Sequence, residues 1–360
     1  MVIEQYTITN KYNFPQPTID TALPQRFLEQ SLHSLRHVQH QAFQLNPQNL
    51  HQPTLTEQYP SSSIQLKPEP IQIKADHQET LIAAIDTSTM KIGETSTGII
   101  VAIRGAITWR QNHSYKYTRL GPFIFHITED NKNTVYNTLE HAYFSATYSS
   151  IHQSAPNLMQ MPARLASLLE RWMQTMVAKT VKEGIILFDG SLTSGTIDTP
   201  TQRLREILSY ARRNCSTVLA FSKATTLRAN GILITEQLPD HEPPYLLETS
   251  GLHSKPPILL LGDVYVARLN RANFAFRLDI DKETNADQRI CAMQKLVGND
   301  LYTQSYPETL RLSHILCTFT ANEVLAIKHF ITRKHGIEIV NRPDMHRLLF
   351  GPLGKGEIYS

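Results

Sequence analysis

Two aspartates end short apolar runs. Residues 81–85 lead into Asp86 within LIAAIDTST, and residues 184–188 lead into Asp189 within GIILFDGSLTSGT. Each reads as a buried strand with a carboxylate at its end. If the two strands are neighbours, the carboxylates converge, and carboxylates that close repel each other unless a cation sits between them. That is how a Mg²⁺ or Mn²⁺ site is built from hard oxygen ligands. Taken singly, either aspartate also fits the cap of a turn or helix, because Ser, Thr and Gly follow it.

Three further residues extend the set. On a helix expected over 158–182, Leu165, Leu168, Leu169, Trp172 and Met176 form an apolar arc. Glu170 lies beyond one edge of that arc, on the rung of Ala166, Met173 and Val177, whereas Arg171, Gln174 and Lys182 fall on the wet side. Glu170 is therefore either a metal ligand facing the sheet or a boundary residue snorkelling to water. In YPETLRLSH, Pro307 suits the first turn of a helix, Glu308 suits its positive end, and His314 projects two turns on, as a ligand or a proton donor. Lys223 follows the strand TVLAFS at the same rim and suits a phosphate.

The elements that must carry these residues follow from periodicity. Expected strands are residues 81–86, 98–104, 107–110, the GPFIFHITED segment, 184–189, 217–221, 258–261 and 274–280, with a tight turn at Gly105-Ala106. Expected helices are 158–182, Thr201–Arg213, 285–297, 306–317 and 320–335. Hairpin strands, helix, strand, helix, strand is the order of a mixed α/β sheet of the RNase-H-like kind, in which the first and fourth strands lie side by side. Open α/β sheets place their sites at the C-terminal ends of parallel strands, where DGSLTSGT falls.

Residues 1–80 differ from the rest, with no glycine, eight of the twenty prolines and thirteen glutamines. Phe27, Leu28, Leu32, Leu35 and Val38 have helical spacing, and residues 47–70 read as an extended connector. The chain thus divides into a helical and extended arm over 1–78, for docking on the domain or on a partner, a catalytic domain over 79–340 and a tail over 341–360.

The 360 residues hold 35 Lys and Arg against 32 Asp and Glu, a net charge of +3, which excludes a protein that coats nucleic acid with a basic surface. A local excess exists: residues 201–235 carry Arg203, Arg205, Arg212, Arg213, Lys223 and Arg228 against Glu206, or six minus one, +5. Arg212, Arg213, Arg228 and Lys223 are candidates for DNA backbone contacts; a solvated helix face explains the cluster as well. Cys215, Cys291 and Cys317 are isolated in sequence, without zinc-finger spacing, which fits a reducing compartment. No long apolar run and no leader-like start are present, so a cytoplasmic protein without membrane contact is expected.

Together these residues resemble the NurA family of archaeal DNA nucleases. The resemblance rests on Asp86 in IDTST, on Glu170 nineteen residues ahead of Asp189 in DGSL, on Ser222-Lys223, and on Tyr306-Pro307 with His314 eight residues past the tyrosine, across about 80–335. The turn after Lys223 departs from the family's usual acidic or serine-containing one. The resemblance implies an RNase-H-like core, a homodimer, and two Mn²⁺ or Mg²⁺ ions held by Asp86, Glu170, Asp189 and His314. Tyr306 would position DNA or water. It further implies 5′ to 3′ exonuclease activity on single- and double-stranded DNA, single-strand endonuclease activity, and work with a HerA-type hexameric translocase in end resection and recombinational repair. Two other readings stay open: an actin-like or sugar-kinase-type ATPase, since DTST and DGSLTSGT also resemble phosphate loops, and a non-catalytic scaffold that binds DNA and translocase.

Overall fold

The computed structural model describes residues 22–36, 64–144, 155–254 and 256–336. Val38, most of the connector and the tail over 341–360 lie outside them. In chain order the elements are α1 (Ala22–Arg36), β1 (Gln65–Leu66), β2 (Ile71–Gln72), β3 (Ile82–Glu94), β4 (Gly98–Gln111), β5 (Ser114–Thr128), α2 (Lys132–Phe144) and α3 (Met161–Thr180). They continue with β6 (Ile185–Asp189), β7 (Thr193–Ser194), α4 (Thr201–Arg213), β8 (Thr217–Ser222), β9 (Arg228–Ala229), β10 (Ile232–Leu233), β11 (Tyr245–Ser250), β12 (Leu259–Leu260) and β13 (Gly262–Arg268). Last come β14 (Phe276–Asp281), α5 (Ala286–Asn299), β15 (Tyr302–Thr303), β16 (Tyr306–Pro307), α6 (Glu308–Cys317) and α7 (Ala321–His335).

The main sheet runs β1-β11-β13-β14-β8-β6-β3-β4-β5. Its centre is parallel, with β6 between β3 and β8. The β3-β4-β5 meander and the β14-β13-β11 extension are antiparallel. An antiparallel three-strand meander whose first strand pairs in parallel with the fourth, and the fourth with the fifth, is the RNase-H-like arrangement. Side chains alternate across the sheet. Ala83, Ile85, Ile186 and Phe188 face a core closed by α3 and α4, while Ile82, Ala84, Ile185 and Leu187 face a second core closed by α5 and α6.

Several expectations are corrected. No turn interrupts 105–106: β4 runs unbroken from Gly98 to Gln111, and the chain reverses at Asn112 and His113, both in the left-handed region. Gly105 is small for another reason. A Cβ there would lie 2.7 Å from Sδ of Met173 and 3.3 Å from Cδ2 of Leu169, so α3 presses on the sheet at this point. Asp86 does not end its strand, because β4 partners β3 as far as Glu94; it marks where β3 parts from β6, whose registered pairs with it stop at Ile85 and Phe188. Pro307 caps α6 from a short bridge instead of opening its first turn. Only Leu259–Leu260 of 258–261 pairs, with β7, and the sheet strand starts at Gly262, where the register with β14 begins. Helix α2 has no counterpart among the expected elements: its Asn and Thr content is poor for helix, and a stripe of Val135, Tyr136 and Leu139 buried against α1 and α3 holds it.

Helix α1 docks on the free edge of β5. The Ser31 hydroxyl bonds the Ile124 carbonyl and accepts from the Ile124 N–H at 3.0 Å, and Ser34 accepts from the His126 N–H at 2.9 Å. Leu23 and Phe27 are fully buried beside Phe123 and Phe125.

Candidate active site

Asp86 and Asp189 follow the last registered pair of the parallel strands β3 and β6, so their side chains project from adjacent positions on the same face. After Asp189 the chain leaves the sheet through Gly190 at φ 109°, a conformation that favours glycine. The departure is fixed on both sides. Ser222 donates to the Gly190 carbonyl at 2.9 Å, and Leu192 N–H donates to Asp279 Oδ2 at 3.0 Å. Asp279 is itself locked by Arg277, whose Nε and Nη2 reach its two oxygens at 2.8 and 2.9 Å; both side chains are buried.

Asp86 is 7% exposed, and its carboxyl is pushed above the ordinary aspartate range, first by burial and then by Asp189. Its Oδ1 accepts from Thr87 N–H at 2.7 Å and its Oδ2 meets His314 Nδ1 at 2.6 Å. Glu170 approaches from the opposite face of the sheet, on α3, where Thr87 Oγ1 lies 3.4 Å from its Oε2 and Gln174 donates to its Oε1 at 3.0 Å. Burial raises its pKa, and Asp86 and Asp189 add to the rise. Thr87 pairs in register with Gly105, so the close approach of α3 at that glycine is what brings Glu170 to the rim. Asp189 is held by Lys223 at 2.6 Å and by the Tyr306 hydroxyl at 3.4 Å. Tyr306 is almost fully buried; burial and the two aspartates push its phenol far up, so it stays a neutral donor.

Helix α6 carries His314. Asp300 substitutes for a side-chain cap at its start, accepting from Thr309 N–H at 3.1 Å and Thr309 Oγ1 at 2.9 Å. Its far end is tied down by Arg104, which is buried against the Phe319 ring and donates to the Thr318 carbonyl and to Glu323. His314 is half exposed, and Cys317, one turn on, is wholly buried.

Asp86, Glu170, Asp189, Lys223, Tyr306 and His314 thus gather at one rim. Arg212, Arg213 and Arg228 do not join them. Arg212, at the far end of α4, is ion-paired to Asp281 and Glu283, and Arg213 stacks near Tyr210. Arg228 donates to Gly231 in the β9–β10 hairpin. The excess charge over 201–235 is therefore partly neutralised by acids remote in sequence. Gln174, expected on the wet side, is buried between Glu170 and Arg171, because the segment around Thr199 covers that flank. Sequence reading missed Thr87, Gln174, Arg277, Asp279 and Cys317. An acid on an alternating apolar strand, FRLDI, was the one available sign of Asp279.

The donor set is of the kind that suits a hard divalent cation: three carboxylates share one rim, burial and Asp189 raise the pKa of Asp86, burial with Asp86 and Asp189 raises that of Glu170, and a bound cation would lower both. Among the described residues, the group whose ligand atoms lie within 4.8 Å of one another is Asp86, His314 and Cys317. Among solved structures, the chain is similar to the NurA nuclease from Sulfolobus solfataricus, at 15% identity and TM-score 0.46, over 76% of this chain and 90% of that one. It is also similar to a second NurA structure, at 10% identity and TM-score 0.40, over 72% and 90%. A third likeness is to endonuclease V from Bacillus subtilis, at 12% identity and TM-score 0.35, over 74% and 87%. No family model matches the sequence, and no curated protein matches it. Among the described residues, no helix is long and apolar enough to cross a membrane.

Proposed function

We propose that the protein is a divalent-metal-dependent DNA nuclease. What supports this reading is the placing of Asp86 and Asp189 side by side past two parallel strands, with Glu170 near enough on one helix for both aspartates to raise its pKa and with His314 bonded to Asp86. Asp86, Asp189 and Glu170 would hold Mn²⁺ or Mg²⁺, with His314 as a further ligand or proton donor. When bound, such ions supply an activated water and stabilise the leaving 3′ oxygen of a phosphodiester. The chain's own groups do the rest. Asp86 fixes Nδ1 of His314, which leaves Nε2 as the ring nitrogen that carries a proton to the leaving oxygen. Lys223, 41% exposed, holds Asp189 and is the cation within reach of an incoming phosphate. Tyr306, neutral, fixes the other oxygen of Asp189.

In finer detail the reading is a 5′ to 3′ exonuclease on single- and double-stranded DNA with single-strand endonuclease activity, acting as a homodimer with a HerA-type translocase in end resection and repair. It is supported by the residues that resemble the NurA family. The test is digestion of end-labelled single- and double-stranded DNA with Mn²⁺, with EDTA, and with Asp86→Asn and Glu170→Gln. Cleavage should vanish with EDTA, return with Mn²⁺, and fall by at least about a hundredfold in each variant. A folded Asp86→Asn protein that still digests single-stranded DNA would sink the reading.

A further inference from the structure

Cys317 takes no part in the proposed hydrolysis, yet it lies against the group at its centre. It sits three residues after His314 on the same face of α6, and α6 packs on β3, which carries Asp86. One ligand atom each from Asp86, His314 and Cys317 lies within 4.8 Å of the others. The thiol is fully buried; Sγ donates to the His314 carbonyl at 3.2 Å and also reaches the Asp86 carboxylate. His314, by contrast, is half exposed, so an ion and its water can enter from that side.

This second donor set differs in kind from the carboxylates. Sulfur, imidazole nitrogen and one carboxylate oxygen are the ligands of zinc, whose bonds of roughly 2.0–2.3 Å place tetrahedral ligand atoms about 3.2–3.8 Å apart. Closing the three side chains on one ion thus needs at most about 1 Å of contraction in the widest pair, and the Asp86–His314 contact at 2.6 Å must open by about 0.6 Å as the ion replaces the shared proton. Mn²⁺ and Mg²⁺ gain little from a thiolate, and on any mixed nitrogen and sulfur set Zn²⁺ binds more tightly.

We propose that Asp86, His314 and Cys317 form a zinc-selective site that overlaps the hydrolytic one and shuts it off. Capture forms an S–Zn bond as the S–H bond breaks and the proton leaves to solvent, with no change of oxidation state. Asp86 and His314 are then withdrawn from the hydrolytic set, and water completes the zinc shell on the exposed side. Zinc capture stands independently of the proposed nuclease activity; the shut-off rests on it.

The experiment uses the full chain, stripped of metal, with Cys215→Ser and Cys291→Ser so that Cys317 is the sole thiol. Titration with Co²⁺ alone should give a near-ultraviolet thiolate-to-cobalt band that saturates at one ion per chain and is displaced by Zn²⁺. The band should be absent in Cys317→Ser. His314→Gln, a change at a half-exposed residue, should weaken cobalt binding by at least about tenfold, and it carries the test if the cysteine variant does not fold. In parallel, Zn²⁺ is titrated against Mn²⁺-supported DNA digestion, each variant normalised to its own rate. Cys317→Ser should raise the half-inhibiting zinc concentration by at least about tenfold. Absence of the cobalt band, or unchanged binding in His314→Gln, overturns the site. A cobalt band with equal zinc sensitivity in both proteins overturns the shut-off. A protein that never cuts DNA but shows the band overturns the nuclease reading and leaves the zinc site standing.

Discussion

The buried pair Arg277 and Asp279 offers a way to separate stability from positioning. Both side chains are essentially inaccessible, joined by two bonds of 2.8 and 2.9 Å, and Asp279 Oδ2 also receives Leu192 N–H at 3.0 Å. Asp279→Ala takes the two-bond carboxylate away from a buried guanidinium and should cost about 3–5 kcal/mol in urea unfolding. Arg277→Met with Asp279→Leu replaces the pair by apolar groups of similar volume, which is often neutral in stability. What the double variant does not replace is the acceptor for Leu192, and a buried N–H left unmade costs about 1–3 kcal/mol. The double variant should therefore unfold within that smaller margin of the parent. It should still cut DNA at least about tenfold more slowly, because the chain just past Asp189 has lost one of its anchors, the one supplied by a side chain of β14. Urea melts followed by circular dichroism, and digestion of labelled single-stranded DNA with saturating Mn²⁺, measure the two quantities on the same samples. Full recovery of cutting rate in the double variant would refute the positioning role. A single variant within about 1 kcal/mol of the parent would refute the energetics of the pair.

Other consequences are quicker to test. His126 is 3% exposed, and burial lowers its pKa from 6.5 to about 4. Between those values the unfolded chain binds the proton that the folded one refuses, so stability is present above pH 6.5 and is lost as pH falls toward 4. The loss is about 3 kcal/mol, and it should shrink in His126→Gln when urea midpoints are compared from pH 7 to 4.5. Gly105→Val should push α3 off the sheet beside Glu170, costing about 1–3 kcal/mol. It should also raise the Mn²⁺ concentration needed for half-maximal cutting; an unchanged metal dependence would break the link between that glycine and Glu170. Arg104→Ala removes the ties from β4 to Thr318 and Glu323, and should loosen α6 and slow cutting without abolishing it, as read by hydrogen exchange and digestion rate.

Parts of the site were legible because they are written locally. Apolar runs closed by an aspartate marked Asp86 and Asp189, and a helical rung at the margin of an apolar arc marked Glu170. His314 and Tyr306 were legible through their spacing in YPETLRLSH. The remainder depends on who neighbours whom. Arg277 and Asp279 matter because β14 pairs with β8 and brings Asp279 below Leu192, and no local pattern states that pairing. Cys317 read as an isolated thiol, and only the packing of α6 on β3 sets it beside Asp86. Gly105 read as a turn because its real partner, Met173, is far away in the chain. The arginines over 201–235 form a basic patch only along the sequence, whereas in the fold Arg212 pairs with acids near the end of β14.

The docking of α1 on β5 has a consequence for how the chain comes to be made. A fifteen-residue edge strand with outward N–H and carbonyl groups is a template on which another copy can grow. Here the serines that close the part of that edge at Ile124 and His126 are made long before it: Ser31 precedes Ile124 by 93 residues. During synthesis from the N-terminus, the lid is waiting when this stretch emerges, so the part of β5 around Ile124 and His126 need never be presented bare to a neighbouring chain. Order along the polypeptide thus serves as a safeguard in time as well as in space.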